Sequence, residues 1–334
     1  MRRRLTLREE RFAFREPFRI AGHEFTETKV LVAEIADGDR VGLGEGAGVY
    51  YLGDDLARMR DQAESARAEL EAGADRVGLQ SLLPPGGARN ALDCALWDLE
   101  ARRTGKPVWK LAGVGRFDAL ATTMTISAGA PEEMAAVACG RFGDWPMLKL
   151  KLTGEVQLDA ERVRKVRSAR EDAWIGVDAN QGYARDNLAQ LVEVLLETRV
   201  ELLEQPLARG AEKDLEGIAR PLPFAADESV CTLAEVERAA GLFDVINIKL
   251  DKCGGLTEAL AIAGRCHELG LKVMVGNMMG SSLSMAPSLV VGQLCDIVDL
   301  DGPTFLASDR PGAVRYADGR IDAGSASWGL LATP

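Results

Sequence analysis

Histidine is nearly absent from this sequence. In 334 residues it occurs only as His23 and His267. A Ser-His-Asp catalytic site therefore has few candidates, and a histidine-rich metal site has none. If the protein transfers protons, lysine or carboxylate side chains must carry most of that chemistry.

Three other absences restrict the class and the location of the protein. The six cysteines form no Cys-x-x-Cys pair, which is typical of buried thiols in a reducing compartment. No uninterrupted apolar run is long enough to cross a bilayer, and the basic residues 1–4 are not followed by the apolar segment of a signal peptide. The net charge of −11 argues against nucleic acid or an anionic membrane as a partner. We expect a cytoplasmic protein with a small-molecule substrate.

The order of predicted elements indicates two regions. Residues 3–50 have strand character, residues 55–72 and 88–104 have helical character, and this α+β region ends near Gly115. Strands and helices then alternate, with strands predicted at residues 122–128, 147–152, 174–179, 200–204, 224–227, 245–250, 272–276 and 297–301. Eight strands joined by helices favour a barrel of parallel strands. An open, doubly wound sheet is the alternative, although no Gly-x-Gly-x-x-Gly follows the first strand.

Charged residues occur at the ends of these predicted strands at a steady interval. They are Lys151, Asp178, Glu204, Asp227, Lys249, Asp299 and Asp301. The first five are separated by 27, 26, 23 and 22 residues, each about the length of one strand-helix unit. Because the carboxyl ends of parallel barrel strands open on one face, we expect these side chains to converge there.

Three of these residues, Asp178, Glu204 and Asp227, are carboxylates on adjacent strands. Neighbouring carboxylates repel one another and do not all stay ionised without a cation. Hard oxygen ligands that leave room for water and substrate suit Mg²⁺. The alternative is that each carboxylate forms a separate salt bridge or helix cap.

Lysines occur on both sides of the predicted metal site. Lys149 and Lys151 share one face of a strand because the side-chain period of a strand is two. Lys249 lies within a largely apolar predicted strand on the far side of the carboxylates. A nearby divalent cation and a second ammonium group disfavour the charged form of a lysine, so Lys151 and Lys249 are candidate bases. Either residue alone could instead be an ordinary surface lysine.

The ordered set of motifs resembles the muconate-lactonizing branch of the enolase superfamily. The motifs are Leu148-Lys149-Leu150-Lys151, Val177-Asp178-Ala179-Asn180, Leu203-Glu204-Gln205-Pro206, Ala226-Asp227-Glu228-Ser229 and Asn247-Ile248-Lys249. The resemblance covers nearly the whole chain. It implies a modified (β/α)7β barrel at residues 116–303 and an α+β capping domain at residues 1–115, completed by a C-terminal segment at residues 304–334. It also implies one Mg²⁺ per subunit, and relatives are often homo-oligomers.

Within this branch, Asp299-Leu300-Asp301 resembles the motif with which dipeptide epimerases receive the substrate's N-terminal ammonium group. The alternative for these two residues is a polar barrel rim. The resemblance implies inversion of the C-terminal α-carbon by a two-base 1,1-proton transfer through an enediolate stabilised by the metal. Lys151 would act on the L-configured carbon and Lys249 on the D-configured carbon. The substrate-binding candidates are Lys149, Asp299, Asp301, His23, Tyr51, Asn277 and Met278.

The identity of the dipeptide stays open. Relatives that act on L-Ala-D/L-Glu carry an arginine near the position of Gly22 or His23, and this sequence has none there. Other activities of the branch are N-acylamino acid racemase, o-succinylbenzoate synthase and muconate cycloisomerase. A barrel that binds a metal or small molecule without turnover is a further alternative, although both lysines are present. A sugar-acid dehydratase is disfavoured because residues 276–280 contain no histidine.

Overall fold

The computed structural model describes residues 3–331 of the chain. The first two residues of the basic start and residues 332–334 of the predicted C-terminal segment lie outside this range. The N-terminal part is an antiparallel sheet of β1 (Arg4–Ile20), β2 (His23–Asp37) and β3 (Arg40–Ala47), followed by α1 (Leu56–Ser65), α2 (Arg67–Ala72), α3 (Arg76–Leu82), α4 (Gly87–Thr104) and α5 (Val108–Leu111). A short 3₁₀ helix at Tyr50–Leu52 lies between β3 and α1.

Helix α4 packs directly on strand β3 because alternate residues of that strand are glycines. A β-carbon placed on Gly42, Gly44 or Gly46 would lie only 2.0–2.1 Å from a backbone oxygen of α4. Glycine at positions i, i+2 and i+4 therefore gives the strand one face without side chains, and the helix backbone lies against that face. This contact holds the sheet of β1, β2 and β3 at a fixed position relative to α4.

The second part alternates strands and helices. Its elements are β4 (Leu120–Ala121), β5 (Met124–Ile126), α6 (Pro131–Cys139), β6 (Met147–Lys151), α7 (Val156–Ala169), β7 (Trp174–Asp178), α8 (Arg185–Glu197), β8 (Leu202–Glu204), β9 (Phe224–Ala226), α9 (Leu233–Ala239), β10 (Val245–Ile248), α10 (Leu250–Cys253), α11 (Leu256–Glu268), β11 (Lys272–Val275), α12 (Ser282–Gly292) and β12 (Ile297–Val298). Strands β5 to β12 form one parallel sheet in chain order. The backbone N–H of Thr123 donates to Val298 O at 3.0 Å, which brings the two edges of the sheet together. The predicted barrel of parallel strands is thus confirmed, and the open doubly wound sheet is not observed.

The last strand is shorter than predicted. It ends at Val298 rather than at residue 301. The N–H of Leu300 donates to the side-chain hydroxyl of Thr122 at 3.0 Å, and Asp301 leaves the extended conformation with φ −103° and ψ 2°. The N–H of Asp299 still donates to Val275 O at 2.8 Å, so side-chain hydrogen bonds take over from the backbone ladder only at Leu300.

The C-terminal segment returns to the N-terminal part. Strands β13 (Arg315–Ala317) and β14 (Arg320–Asp322) form a small antiparallel sheet with β4. Trp328 then donates from Nε1 to Leu43 O at 2.9 Å, and the N–H of Gly329 donates to Asp98 Oδ1 at 2.6 Å. The predicted domain boundaries at residues 115 and 303 stay predictions. Within residues 3–331, no helix is both long enough and apolar enough to cross a membrane.

Candidate active site

A cavity of about 590 Å³ lies between the carboxyl ends of the barrel strands and the N-terminal sheet. This volume is within the range of about 300–1,000 Å³ that is common for small-molecule sites. Its barrel side includes Lys149, Lys151, Asp227, Lys249 and Asp299, and its opposite side comes from β1, β2 and the loop that carries Tyr50 and Tyr51. Five of the seven charged residues predicted at strand ends therefore line one cavity, namely Lys151, Asp227, Lys249, Asp299 and Asp301.

Three carboxylates form the floor beneath this cavity. Strand pairing places Lys151 beside Asp178 and Asp178 beside Glu204, and Asp227 follows the end of β9. Asp178, Glu204 and Asp227 are at most 1% exposed, and one oxygen from each lies within 4.8 Å of the others. Glu204 Oε2 lies 2.6 Å from Lys149 Nζ in an orientation that forms no hydrogen bond. The three hard oxygen donors fit Mg²⁺, which also accepts water and substrate oxygens.

The electrostatics of the three carboxylates differ. Burial, followed by the charge of Asp178, raises the pKa of Glu204 to about 7. Burial by itself would raise the pKa of Asp178, but the ammonium groups of Lys151 and Lys149 outweigh it and lower that pKa. Burial is likewise outweighed at Asp227, whose pKa is lowered by Lys249 and Lys252. Two of the three carboxylates are therefore held ionised by lysines, and a divalent cation would favour the ionised form of the third.

The two candidate bases bind carboxylates on opposite sides of this floor. Lys151 Nζ lies 2.6 Å from Asp178 Oδ2, and Lys249 Nζ lies 2.6 Å from Asp227 Oδ2. The expectation that a bound cation disfavours the charged form of Lys249 stays a prediction, and the protein groups by themselves have the opposite effect on its pKa. Burial would lower the pKa of Lys249, but Asp227 outweighs burial and raises it. A cation bound by Asp227 would offset the carboxylate charge that causes this increase.

Lys149 connects the metal-site carboxylates to the end of the barrel sheet. Its Nζ lies 2.6 Å from Glu204 Oε2, 2.7 Å from Asp299 Oδ2 and 3.4 Å from Asp178 Oδ2. A fully buried ammonium group with three carboxylates around it stays charged, and its pKa is raised despite burial because of Asp299 and Glu204. This charged lysine holds Asp299 toward the carboxylate floor. Its contact with a substrate stays a prediction.

Asp299 and Asp301 both line the cavity but have different partners. Asp299 is paired with Lys149, whereas Asp301 Oδ2 accepts the backbone N–H of Thr125 at 2.6 Å. Among residues 3–331, no lysine, arginine or histidine forms an ion pair with Asp301, which is 2% exposed. Burial, followed by the charge of Asp299, raises the pKa of Asp301 to about 7. The position of Asp301 thus leaves a buried carboxylate that a cationic group of a ligand could neutralise.

The other substrate-binding candidates separate into two groups. Tyr51, Asn277 and Met278 line the cavity, and Asn277 donates from Nδ2 to Asp299 O at 2.7 Å. His23 is not among the cavity-lining residues. It is exposed and packs its ring against Phe25 and Tyr50, at centroid distances of 5.9 and 4.8 Å. His23 lies in the hairpin between β1 and β2. Its position does not support the expected direct contact with substrate, since His23 packs behind Phe25 and Tyr50, which do line the cavity.

Sequence reasoning missed three residues that shape the site. Glu228 lines the cavity with its Oε2 unpartnered, and burial followed by the charge of Asp227 raises its pKa to about 8. Lys252 is fully buried and donates to Asp227 Oδ1 at 2.6 Å. Gln205, with φ 38°, accepts the N–H groups of Asp227 and Ser229 through Oε1, at 3.0 Å each. The available signal was proximity in sequence, since each lies within three residues of a predicted site residue.

Comparisons with known proteins agree with this geometry. The sequence model described as mandelate racemase / muconate lactonizing enzyme, N-terminal domain, matches residues 2–113, and the one described as enolase C-terminal domain-like matches residues 132–327. The chain therefore belongs to the mandelate racemase and muconate lactonizing enzyme family of the enolase superfamily.

Several of the similar proteins are dipeptide epimerases, and others are racemases of N-acylated amino acids. The chain is 37% identical over 314 residues to the L-Ala-D/L-Glu epimerase of Escherichia coli, covering 94% of this chain and 97% of that protein. An Agrobacterium tumefaciens enolase family member with homology to dipeptide epimerases, crystallised with sodium and L-Ala-L-Glu, superposes with a TM-score of 0.91 at 38% identity, covering 96% and 97% of the two chains. A Methylococcus capsulatus dipeptide epimerase, in complex with Mg and L-Arg-D-Lys, gives a TM-score of 0.90 at 32% identity, with coverages of 96% and 97%.

Proposed function

We propose that this protein is a Mg²⁺-dependent dipeptide epimerase, an isomerase that inverts the α-carbon of the C-terminal residue. The observation that carries the proposal is the placement of Lys151 and Lys249 on opposite sides of the carboxylate floor. Lys151 is the last residue of β6 and Lys249 directly follows β10. These strands are four apart in an eight-stranded barrel, and each lysine binds a different carboxylate. A substrate held over the floor between them has one lysine on each face of its α-carbon.

The chain's own residues supply the proton transfers. Lys151, in its neutral form, accepts the α-proton from one face, and the Lys249 ammonium group donates a proton to the other face. The roles are reversed for the opposite configuration. Asp178, Glu204 and Asp227 would hold Mg²⁺, whose positive charge stabilises the negative charge that develops on the substrate carboxylate during proton removal. Lys149 keeps this floor compact by neutralising part of its charge.

Recognition of a free amino terminus distinguishes a dipeptide from an N-acylated amino acid. Asp301 supports this part of the proposal because it is buried and has no ion-pair partner in the described part of the chain. A buried carboxylate without a cation is unfavourable, and a substrate ammonium group would remove that penalty. An N-acylamino acid has no such group and would leave Asp301 unpaired.

Proton exchange measured by ¹H NMR tests the proposal. The purified protein with Mg²⁺ in D₂O would receive a mixed library of L,L-dipeptides and, separately, a set of N-acetyl and N-succinyl amino acids. We expect loss of the α-proton signal of the C-terminal residue in dipeptides. Exchange in the N-acylated set alone would refute the dipeptide activity and favour an N-acylamino acid racemase.

Single lysine variants test the two-base scheme. Lys249→Ala should still exchange the α-proton of an L,L-dipeptide without inverting it, whereas Lys151→Ala should lose that exchange, because each face is served by one base. Epimerisation should fall at least 100-fold in both, as expected for loss of a general base or acid, which contributes about 10²–10⁴ in rate. Lys165→Ala, at an exposed lysine on α7, is the matched control. Retained epimerisation in either active-site variant would exclude the scheme.

We also propose that the enzyme works in the cytoplasm and forms a homo-oligomer. The location is supported by six free cysteines, which suit a reducing compartment. The oligomer rests on family resemblance and is tested by light scattering coupled to gel filtration. A single species at the monomer mass of 35.9 kDa would refute it.

A further inference from the structure

An apolar surface forms part of the side of the cavity opposite the carboxylate floor, next to polar residues of β2 and to Asp54 and Asp55. Phe18, Ile20, Phe25, Tyr50, Tyr51 and Met278 line it. They come from the β1–β2 hairpin, the loop after β3 and the loop after β11. The chemistry of this side affects which dipeptide the enzyme accepts. The inference below rests on the proposed function.

Four of the rings near this side form a connected group, the cap aromatic cluster of His23, Phe25, Tyr50 and Tyr51. The centroid distances are 5.6 Å between Phe25 and Tyr50 and 5.1 Å between Tyr50 and Tyr51, with His23 packed behind Phe25 and Tyr50. Rings in tilted or edge-to-face contact at such distances stabilise one another. The cluster therefore presents a pre-formed apolar surface to the cavity.

The cap aromatic cluster lies where the side chain of the reacting residue must point. In the proposed complex the substrate carboxylate faces the floor and the ammonium group faces Asp301. The two faces of the α-carbon are occupied by Lys151 and Lys249. The remaining substituent is the side chain, and the open direction is toward the cap. Tyr50 lines the cavity from this direction.

The cap side of the cavity has few cationic groups that could bind an acidic side chain of the substrate. Among the described residues that line the cavity there is no arginine. Arg19 lines a separate cavity and pairs with Glu24, with Nε 2.6 Å from Oε2. Lys29 lies at the rim, 47% exposed at its side chain, with its Nζ 3.4 Å from Glu27. A glutamate side chain placed here would lose hydration without gaining a free cation.

A basic side chain is the other charged possibility, because Glu228 also lines the cavity. Glu228 follows the metal-site residue Asp227 and lies on the barrel side, not on the cap. On the cap, Glu24 and Glu27 already pair with Arg19, Arg11 and Lys29. The cap also carries Asp54 and Asp55, whose carboxylates accept the backbone N–H groups of Gly87 and Arg58 at 2.8 Å each, beside the aromatic surface that faces the substrate side chain.

We infer that the C-terminal residue of the preferred dipeptide has an aromatic or large aliphatic side chain, which packs on Phe25, Tyr50 and Tyr51. Burial of an apolar side chain on this surface is favourable in proportion to the area removed from water. An aromatic cap surface with no arginine among the described cavity-lining residues therefore favours an apolar substrate side chain over an acidic one.

The test compares four substrates with the Mg²⁺-loaded protein: L-Ala-L-Phe, L-Ala-L-Leu, L-Ala-L-Glu and L-Ala-L-Lys. We expect kcat/KM for the Phe and Leu dipeptides to exceed that for the Glu and Lys dipeptides at least tenfold. Calorimetric binding to the Lys151→Ala variant should follow the same order. This second measurement reports affinity without turnover.

Two variants locate the effect. Phe25→Arg should lower kcat/KM for L-Ala-L-Phe at least tenfold and raise the ratio of L-Ala-L-Glu to L-Ala-L-Phe activity. Leu52→Arg is the matched control, since Leu52 is exposed in the same loop as Tyr51 but does not line the cavity. It should leave that ratio unchanged.

The outcomes distinguish a wrong substrate preference from a wrong proposed function. Preference for L-Ala-L-Glu or L-Ala-L-Lys in the native protein would overturn the inference and leave the epimerase activity established. An unchanged substrate ratio in Phe25→Arg would overturn the role of the cap aromatic cluster. Exchange in N-acetyl-phenylalanine with none in any dipeptide would overturn the proposed function, and this inference with it.

Discussion

Asp301→Asn is the substitution that most directly tests recognition of a dipeptide. Asp301 is 2% exposed and accepts the Thr125 N–H at 2.6 Å, and it has no ion pair within residues 3–331. Asparagine has nearly the same shape and can accept the same N–H through its side-chain oxygen. The exchange therefore removes the negative charge and leaves the local packing almost unchanged.

The expected magnitude follows from the bond that is lost. A hydrogen bond to a charged group contributes roughly 1.5–3 kcal/mol, which corresponds to about a 10- to 150-fold decrease in kcat/KM for a dipeptide. Asp299→Asn would be harder to interpret because it would also break the ion pair with Lys149 at 2.7 Å. Asp301→Asn is thus the sharper of the two variants.

The assay is α-proton exchange and epimerisation of the preferred dipeptide, measured by NMR over a range of concentrations. N-acetylated amino acids are the comparison substrates, since they have no ammonium group and should respond little to the change. Asp318→Asn, in the exposed turn between β13 and β14, is the control variant. A dipeptide kcat/KM that stays within twofold of the native value would refute ammonium binding by Asp301.

Two further predictions concern stability. Lys252→Met should lower the free energy of unfolding in urea by about 1.5–3 kcal/mol, because it removes a buried charged hydrogen bond to Asp227, which keeps Lys249 as its other partner. Exposed Lys272→Met should change the free energy of unfolding little, and equal effects of the two variants would refute the argument. Burial raises the pKa of Asp93 from 3.8 to about 6 despite hydrogen bonds from Thr257. The folded state therefore binds more protons than the unfolded state between about pH 4 and 6, and this carboxyl lowers stability by about 3 kcal/mol as pH rises through that window. Asp93→Asn should reduce the decrease accordingly, and an unchanged pH dependence would contradict the assignment.

Much of the barrel was predictable because apolar strands that end in charged residues recur at a regular interval along the sequence. All eight predicted strands overlap observed strands, and Lys151, Asp178 and Glu204 end adjacent strands in matching register. Strand-helix units of similar length return the chain to the same face of the barrel, so spacing alone predicts convergence. Charged residues at the ends of apolar strands were therefore a reliable indicator of the site.

The last strand and the cap were less predictable. The alternation in Asp299-Leu300-Asp301 predicted one shared strand face, but the strand ends at Val298 and Asp301 adopts a non-extended conformation. Both carboxylates reach the cavity through hydrogen bonds with residues near β5, such as Thr125, about 175 positions earlier. His23 was expected to touch substrate, yet the hairpin places it behind Phe25 and Tyr50. The pattern of neighbouring residues in the sequence does not predict contacts between residues that are so far apart along the chain.

Residue order was enough to establish the fold class, the carboxylate floor and the two candidate bases, because each depends on a side-chain period and on the length of a repeating unit. Tertiary packing decided which charges are paired. It binds Lys149 to Asp299, buries Lys252 against Asp227 and leaves Asp301 without a cation in the described chain. It also assembles the cap aromatic cluster over the barrel. The free energy of a buried charge or ring depends on neighbours that come from distant segments, and only the folded chain brings those segments together.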